Sequence, residues 1–234
     1  MAAAGVSARL PARAYASLAD FHARGLPPLR AAARQTSDAA RAAAGDVERH
    51  GTCAPCLRAA MLRGPDAGCD CPERLAGTGR ALLHAAGTEL AARPWSTAVL
   101  LGPDTGLRRR IGDLAHTAHV YADALADGVA HLVAAIDVLP RAADPAAALG
   151  ELRRVAALGA CLLASFPFDP ARARTEARRP VTGSAATLLP TAAHDIGWDI
   201  VAIARAAGWT QASLLHIWSD ELGYPGLFLL RATA

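Results

Sequence analysis

The sequence predicts an α/β protein built on a mostly parallel, Rossmann-like sheet, and its apolar runs carry that prediction. Leu132–Ile136 and Cys161–Phe166 are short and continuous, as strands buried on both faces are. An amphipathic helical pattern lies between them, so the unit is a strand–helix–strand crossover. Another apolar run, Thr97–Leu101, precedes this unit, and Leu214–Trp218 and Leu227–Arg231 follow it.

The helix of the central unit has a predicted start and end. Asp144 offers a side-chain oxygen to the first free amides, and Pro145 suits the first helical position because its missing N–H costs nothing there. Apolar residues then recur at helical spacing, at Leu149, Leu152, Val155 and Ala156. Gly159 is expected to close the helix in a left-handed conformation.

Two parts of the chain resemble a known family. The resemblance lies in the segments AIDVLPRAADPAAALGELRRV and GACLLASFPFDP and in the closing AHDIGWDIVAIARAAGWTQASLLHIWSDELGYPGLFLLRATA. These segments are similar to the second half of class I S-adenosylmethionine-dependent methyltransferases. The resemblance is to a subgroup with a cysteine-rich zinc ribbon ahead of the catalytic domain, and it covers about Cys53 to Ala234. It implies a Rossmann-like domain that ends in an antiparallel strand pair, with S-adenosylmethionine as the methyl donor.

Three segments are expected from this pattern. Residues 1–47 are rich in Ala and Arg, and helices are predicted after Pro11 and after Pro28. Residues 48–72 form a cysteine-rich module, and residues 73–234 form the methyltransferase-like α/β domain. That domain is expected to open with a helix over Pro72–Leu90, and the final helix is expected to be capped by Asp195 and to run through Ala207.

The cysteine-rich module contains two close pairs, Cys53-x-x-Cys56 and Cys69-x-Cys71. Because disulfides are disfavoured in a cytosolic protein, this spacing predicts that four thiolates hold a structural Zn²⁺. The second pair lacks the usual two-residue spacer, so His50 is a substitute ligand and ordinary free thiols are the alternative. Four thiolates leave no open position for water, so such a zinc ion would have no catalytic role.

Composition excludes several functions. All 24 basic side chains are Arg, so the chain has neither a Schiff-base lysine nor a P-loop lysine. A formal net charge of +3 is low for a dedicated nucleic-acid binder. No apolar run reaches the ~20 residues of a membrane span. The N-terminus has no signal-peptide core, so a cytoplasmic protein is expected.

The front of the predicted sheet is short of residues. Only 38 residues separate Val99, in the first strand, from Asp137, which ends the strand that the resemblance makes the fourth. A βαβ unit takes ~30 residues, so there is room for about one crossover where three are needed. We therefore expect a shortened sheet that lacks most of the segment for adenosine.

The turn after the first strand is also atypical. It reads GPDTG, so Gly102 and Gly106 are present but the G-x-G-x-G pattern is not. Gly102 and Asp104 remain candidates for cofactor contacts through the turn and the following helix N-terminus. Asp123 is a candidate for the acid on the ribose or adenine side. Binding of S-adenosylmethionine is therefore doubtful.

Candidate catalytic residues fall at the carboxyl edge of the predicted sheet, where open α/β folds bind ligands. They are Asp137, His194 and Asp199, with His194 the first candidate for general base and an ordinary loop histidine the alternative. Arg178 and Arg179 lie in a long loop and either hold an anionic group or face solvent. Residues that either line the pocket or pack at its edge are Trp198, Trp218, Glu221 and Tyr224.

Three functions remain open. The first is a small-molecule biosynthetic enzyme that uses the scaffold without a methyl donor, for ring closure, intramolecular substitution or elimination of an anionic leaving group. Its substrate would be a small molecule, either free or presented by an acidic carrier protein. The second is a working S-adenosylmethionine-dependent methyltransferase. The third is a non-catalytic, zinc-stapled subunit of a partner enzyme.

Overall fold

The computed structural model describes residues 10–25, 48–53, 58–63, 68–69, 77–93, 95–119, 125–178, 194–219 and 224–234, with 48–69 described for the backbone only. The helices are α1 (Leu18–Arg24), α2 (Gly77–Ala91), α3 (Thr105–Gly112), α4 (Pro145–Val155) and α5 (Ile200–Ala206), with a 3₁₀ turn at Leu139–Arg141. The strands are β1 (Ala12–Tyr15), β2 (Glu48–Cys53), β3 (Arg58–Arg63), β4 (Gly68–Cys69), β5 (Thr97–Leu101), β6 (Thr117–His119), β7 (Ala130–Ile136), β8 (Ala156–Ser165), β9 (Glu176–Ala177), β10 (His194–Asp195), β11 (Thr210–Ser219) and β12 (Tyr224–Thr233).

The central sheet has seven strands in the order β1-β11-β12-β8-β7-β5-β6. Strands β6, β5, β7 and β8 are parallel neighbours. Strand β12 lies between β8 and β11 and is antiparallel to both. The α/β class and the mostly parallel sheet are therefore confirmed, and the closing antiparallel pair lies where the resemblance implies it.

The central crossover forms for the predicted reasons. Asp144 Oδ1 accepts a hydrogen bond from the amide of Ala146 at 2.8 Å, and Pro145 begins α4. Leu149, Leu152 and Val155 are buried against the sheet. Burying each such side chain contributes ~1.5–3 kcal/mol, so the three together outweigh the cap at Asp144, which contributes ~0.5–2 kcal/mol.

The end of that helix was predicted wrongly. Helix α4 ends at Val155, and β8 begins at once with Ala156. Gly159 does take up a left-handed conformation, with φ of 72°, but it does so inside β8, at an irregularity in the pairing with β7. A glycine at a bulge and one at a helix end need the same φ, so the sequence does not separate them.

The sheet is covered on both faces. One face packs on α1, α4 and α5, and its buried cluster includes Phe21, Leu149 and Val201. The other packs on α2 and α3, around Leu82 and Leu107. The inner strands β5 and β7 and the second half of β8 are buried between these layers and are largely apolar, whereas the edge strands β1 and β6 are mostly exposed.

The N-terminal segment differs from the all-helical prediction. After Pro11 the chain forms strand β1, which pairs antiparallel with β11 and widens the sheet at its edge. Helix α1 follows, with the Ser17 hydroxyl accepting from the amide of Asp20. Tyr15 and Phe21 are buried, with ring centroids 5.1 Å apart. Residues 10–25 are therefore part of the main fold. Residues 26–47, with the helix predicted after Pro28, lie outside the described residues.

The four-thiolate zinc site is not supported. In the small β2-β3-β4 sheet, Cys53 pairs with Arg58, whereas Cys69 pairs with Leu62, which in turn pairs with Arg49. Cys53 and Cys69 are thus four positions apart along the ladder, ~13 Å, and two strands apart across it. Two sulfurs each ~2.3 Å from one ion cannot span that distance.

The other predicted ligands, Cys56 and Cys71, lie outside the described residues. No group of three His, Cys, Asp or Glu side chains able to hold a metal occurs among the residues whose side chains are described. Over the same part of the chain, no helix is both long and apolar enough to cross a membrane.

Candidate functional site

The topology makes the carboxyl ends of β5 and β7 a switch point of the sheet, here called the crevice because open α/β folds bind ligands at such points. These strands are parallel neighbours, but the chain leaves β5 toward β6 on one side and leaves β7 toward β8 on the other. At such a switch point the two loops diverge, and ligands bind outside the carboxyl ends of the strands. The residues that follow β5 and β7, from Gly102 and from Asp137 respectively, therefore form the candidate site.

Gly102 brings the two strand ends together. Its φ is 127°, and a Cβ built on it would lie 2.1 Å from the carbonyl oxygen of Ile136, the last residue of β7. Only glycine fits a position with both features. The end of β7 therefore occupies the position where a side chain at Gly102 would lie.

Asp104 closes the N-terminus of α3. Its Oδ1 accepts a hydrogen bond from the backbone amide of Leu107 at 2.9 Å, and the residue is the N-cap of the helix. Gly106 faces the same carboxylate, since a Cβ there would lie 3.5 Å from Asp104 Oδ1. One of the free amides at this helix end, that of Leu107, is thus engaged by the chain's own anion.

Asp137 is the most unusual residue of the crevice. It has a φ of 53°, a left-handed conformation that is uncommon outside glycine and that clusters at functional sites. Burial raises the pKa of its carboxyl above the ordinary value; the nearby Arg141 guanidinium opposes this, and the carboxylate of Asp104 adds to it. A raised pKa makes a carboxylate a stronger base than an ordinary Asp, which suits it to accept a proton from a bound ligand.

Arg141 was missed as a site residue by sequence reasoning. It ends the 3₁₀ turn, is exposed, and interacts electrostatically with Asp137. The sequence signal was present, because Pro140 and Arg141 stand where the resembled family carries other residues. A guanidinium four residues beyond a strand-ending carboxylate is the feature that identifies it.

A small ribbon, β9 paired with β10, forms a second wall of the site. It packs on the 3₁₀ turn that carries Arg141. His194 lies in β10, and its Nδ1 is buried with no hydrogen-bond partner among the described residues. The carboxylate of Asp195 pairs with Arg178 at 2.6 Å and with Arg172 at 3.7 Å. The ribbon thus brings His194 and Arg178 to the carboxyl edge.

Two predicted site residues make contacts that hold the fold, and their predicted roles in the site stay predictions. Asp199 accepts hydrogen bonds from the amide and hydroxyl of Thr175, at 2.8 and 2.7 Å. Trp198 is buried among aromatic rings, and its indole N–H donates to the carbonyl of Pro170. Asp195 does not cap the last helix, because α5 begins at Ile200.

The remaining predicted site residues lie at the end of a strand, in the core, or outside the described residues. Trp218 is 41% exposed at the end of β11. Tyr224 is buried, with its hydroxyl 3.2 Å from His84 Nδ1 and its ring under the guanidinium of Arg80. Three candidates lie outside the described residues: Asp123, Arg179 and Glu221.

S-adenosylmethionine, which the resemblance implies, does not fit the β5–α3 turn. A donor bound there would need backbone space and free amides for its carboxylate. A Cβ at Gly102 would meet the Ile136 carbonyl, so β7 lies directly against this turn, and the Leu107 amide of α3 already donates to Asp104. Among the described residues no strand lies outside β6, and residues 120–129 alone connect β6 to β7.

No family model and no curated protein matches the chain. Among solved structures, it is similar to the [4+2]-cyclase SpnF, at 12% identity over 96% of this chain and 98% of the cyclase, with a TM-score of 0.43. It is similar to a SAM-dependent methyltransferase from Thermotoga maritima, at 13% identity over 67% and 91% of the two chains, with a TM-score of 0.36. A SAM-dependent methyltransferase from Aquifex aeolicus shows 14% identity over 59% and 81%, with a TM-score of 0.36.

Proposed function

We propose that this protein is a small-molecule enzyme on a methyltransferase-like scaffold, and that it catalyses ring closure, intramolecular substitution or elimination without a methyl donor. The observation that carries the proposal is Asp137, a half-buried carboxyl of raised pKa at the switch point of the sheet, with Arg141 beside it. A base and a cation at one crevice suit a reaction that removes a proton and releases an anion.

In this reaction Asp137 accepts a proton from an O–H, N–H or C–H group of the substrate. The electron pair left behind forms the new ring bond or a double bond, and the leaving group departs with its own pair. Arg141 holds the departing anion, because a guanidinium offers two parallel donors to carboxylate, sulfate or phosphate. The proton later passes to water or to the leaving group, so that Asp137 is regenerated.

His194 is a second proton carrier in this proposal. It lies on the ribbon that packs against the Arg141 turn, and a histidine there can relay a proton between Asp137 and solvent. Alignment of the substrate's reacting atoms between the ribbon and the crevice supplies much of the rate, since positioning alone contributes several kcal/mol.

The alternative is a working S-adenosylmethionine-dependent methyltransferase. It is favoured by the β5–α3–β6 unit and by Asp123, which follows β6 and stands 21 residues after Gly102, close to the spacing of a ribose-binding acid. Two features oppose this alternative: a Cβ at Gly102 would meet the Ile136 carbonyl, and Asp104 caps the N-terminus of α3. Micromolar binding of S-adenosylmethionine in a calorimetric titration would select this alternative.

The deciding experiment compares the metabolites of a host that lacks the gene with those of the complemented host. The accumulated precursor is then given to the purified protein without S-adenosylmethionine. Loss of an anionic group together with a new ring indicates ring closure by intramolecular substitution, and its loss together with a new double bond indicates elimination. Gain of one CH₂, seen only with the donor, indicates methyl transfer. Turnover should be lost in Asp137→Asn and kept in Asp144→Asn, which removes the same charge from the α4 cap.

No turnover by the wild-type protein alone, with turnover by a co-purified partner enzyme, would overturn the proposal. That result would select the non-catalytic subunit.

A further inference from the structure

The turn between β5 and α3 has the glycine and the following helix N-terminus of a nucleotide-binding turn. It lacks the free space beside the glycine in which a ligand would lie. In open α/β folds a glycine turn leaves room for the ligand backbone, and the following helix end receives its anion. Here the space at Gly102 meets the Ile136 carbonyl, where a Cβ would come within 2.1 Å. The amide of Leu107 meets the carboxylate of Asp104 at 2.9 Å.

The electrostatics of the crevice oppose a second anion. Asp104 and Asp137 interact across the ends of β5 and β7, strongly enough that the Asp104 charge contributes to the raised pKa of Asp137. An anion placed at the α3 end would lie against Asp104 and near Asp137. Such an anion would have to displace the Asp104 carboxylate from the Leu107 amide and would be repelled by the ionised Asp137 carboxylate.

We propose that Asp104 is the specificity determinant of the site: its carboxylate occupies the anion position of α3 from within the chain. The turn therefore excludes ligands that present a carboxylate, sulfate or phosphate at this point, the amino-acid end of S-adenosylmethionine included. Ligands are accepted when the group that lies at the N-terminus of α3 is neutral or cationic. The inference rests on the proposed site but names which ligands it takes.

The test follows the backbone amide of Leu107 by ¹⁵N-resolved NMR while inorganic sulfate is added to the full-length protein. In Asp104→Gly, the Leu107 amide should show a saturating shift with a dissociation constant in the millimolar range. The wild-type protein should bind at least tenfold more weakly. Asp104→Asn keeps the helix cap but removes the negative charge, so its affinity for sulfate should lie between those of the wild type and Asp104→Gly.

Asp144→Gly is the matched control, because it opens the N-terminus of α4, where Asp144 caps Ala146. It should shift Ala146 and leave Leu107 unchanged. A saturating Leu107 shift in the wild-type protein, with sulfate or with S-adenosylmethionine, would overturn the inference, and so would Asp104→Gly with no shift. If the sulfate titration overturns the inference about Asp104, the proposed chemistry at Asp137 is not affected. That chemistry is tested separately, by the turnover of Asp137→Asn.

Discussion

The carboxylate of Asp199 accepts two hydrogen bonds from one residue, Thr175, at 2.8 Å from the backbone amide and 2.7 Å from the hydroxyl. The Thr175 hydroxyl in turn accepts from the amide of Gly197 at 3.1 Å. The start of α5 is thereby tied to the segment that leads into β9. A residue predicted as catalytic therefore positions the ribbon that carries His194.

Substitutions at this pair should separate anchoring from catalysis. Asp199→Ala leaves the Thr175 amide without its charged acceptor and should lower the free energy of unfolding by about 1.5–3 kcal/mol, whereas Thr175→Val should cost about 1 kcal/mol. Thr175→Ser keeps both bonds and should be near neutral. Chemical denaturation gives the values. An Asp199→Ala protein of wild-type stability with no activity would instead assign Asp199 to catalysis.

Sequence reasoning succeeded where local and long-range signals agree. The crossover was predictable because Asp144, Pro145 and the apolar spacing of α4 all indicate one helix between two buried runs. The shortened front of the sheet, expected from the 38 residues between Val99 and Asp137, stays a prediction.

It failed where a role depends on partners distant in sequence. Trp198 and Asp199 have the composition of site residues, but Pro170 and Thr175 engage them. The β1 strand was missed because it is held by pairing with β11, about two hundred residues later. Arg141 was missed because its importance comes from Asp137, whose raised pKa is a property of burial.

Gly102 should tolerate no side chain. Gly102→Ala puts a Cβ 2.1 Å from the Ile136 carbonyl oxygen at a φ of 127°, so β5 and β7 must separate at the site. We expect a loss of several kcal/mol of unfolding free energy or no soluble protein. Gly150→Ala is the matched control. It lies in α4 with nothing within 4 Å and should stabilise the protein by up to about 1 kcal/mol. Equal melting temperatures for the two variants would show that the strand ends are not packed as described.

The rate of the proposed reaction should report the charges around Asp137. Burial raises the pKa of this carboxyl, so activity should rise with pH through an apparent pKa above the ordinary Asp value. Arg141→Gln removes a cation that lowers the pKa and should move the profile to higher pH. Asp104→Asn removes an anion that raises it and should move the profile to lower pH. The pH dependence of kcat/KM in each variant checks the signs. Shifts in the same direction for both variants would exclude Asp137 as the titrating base.

His216 should make the protein sensitive to acid. Its ring is 3% exposed and stacks on Phe228 with centroids 4.6 Å apart, and burial lowers its pKa from 6.5 to about 4. Between these values the unfolded chain binds a proton that the folded chain does not, so stability falls as the pH drops below 6.5. The loss is complete below pH 4 and amounts to about 3 kcal/mol. His216→Phe keeps the ring packing and removes the titrating group. Denaturation curves from pH 8 to 4 should therefore be flatter for the variant by about that amount, while an unchanged slope would show that the buried imidazole is not what titrates.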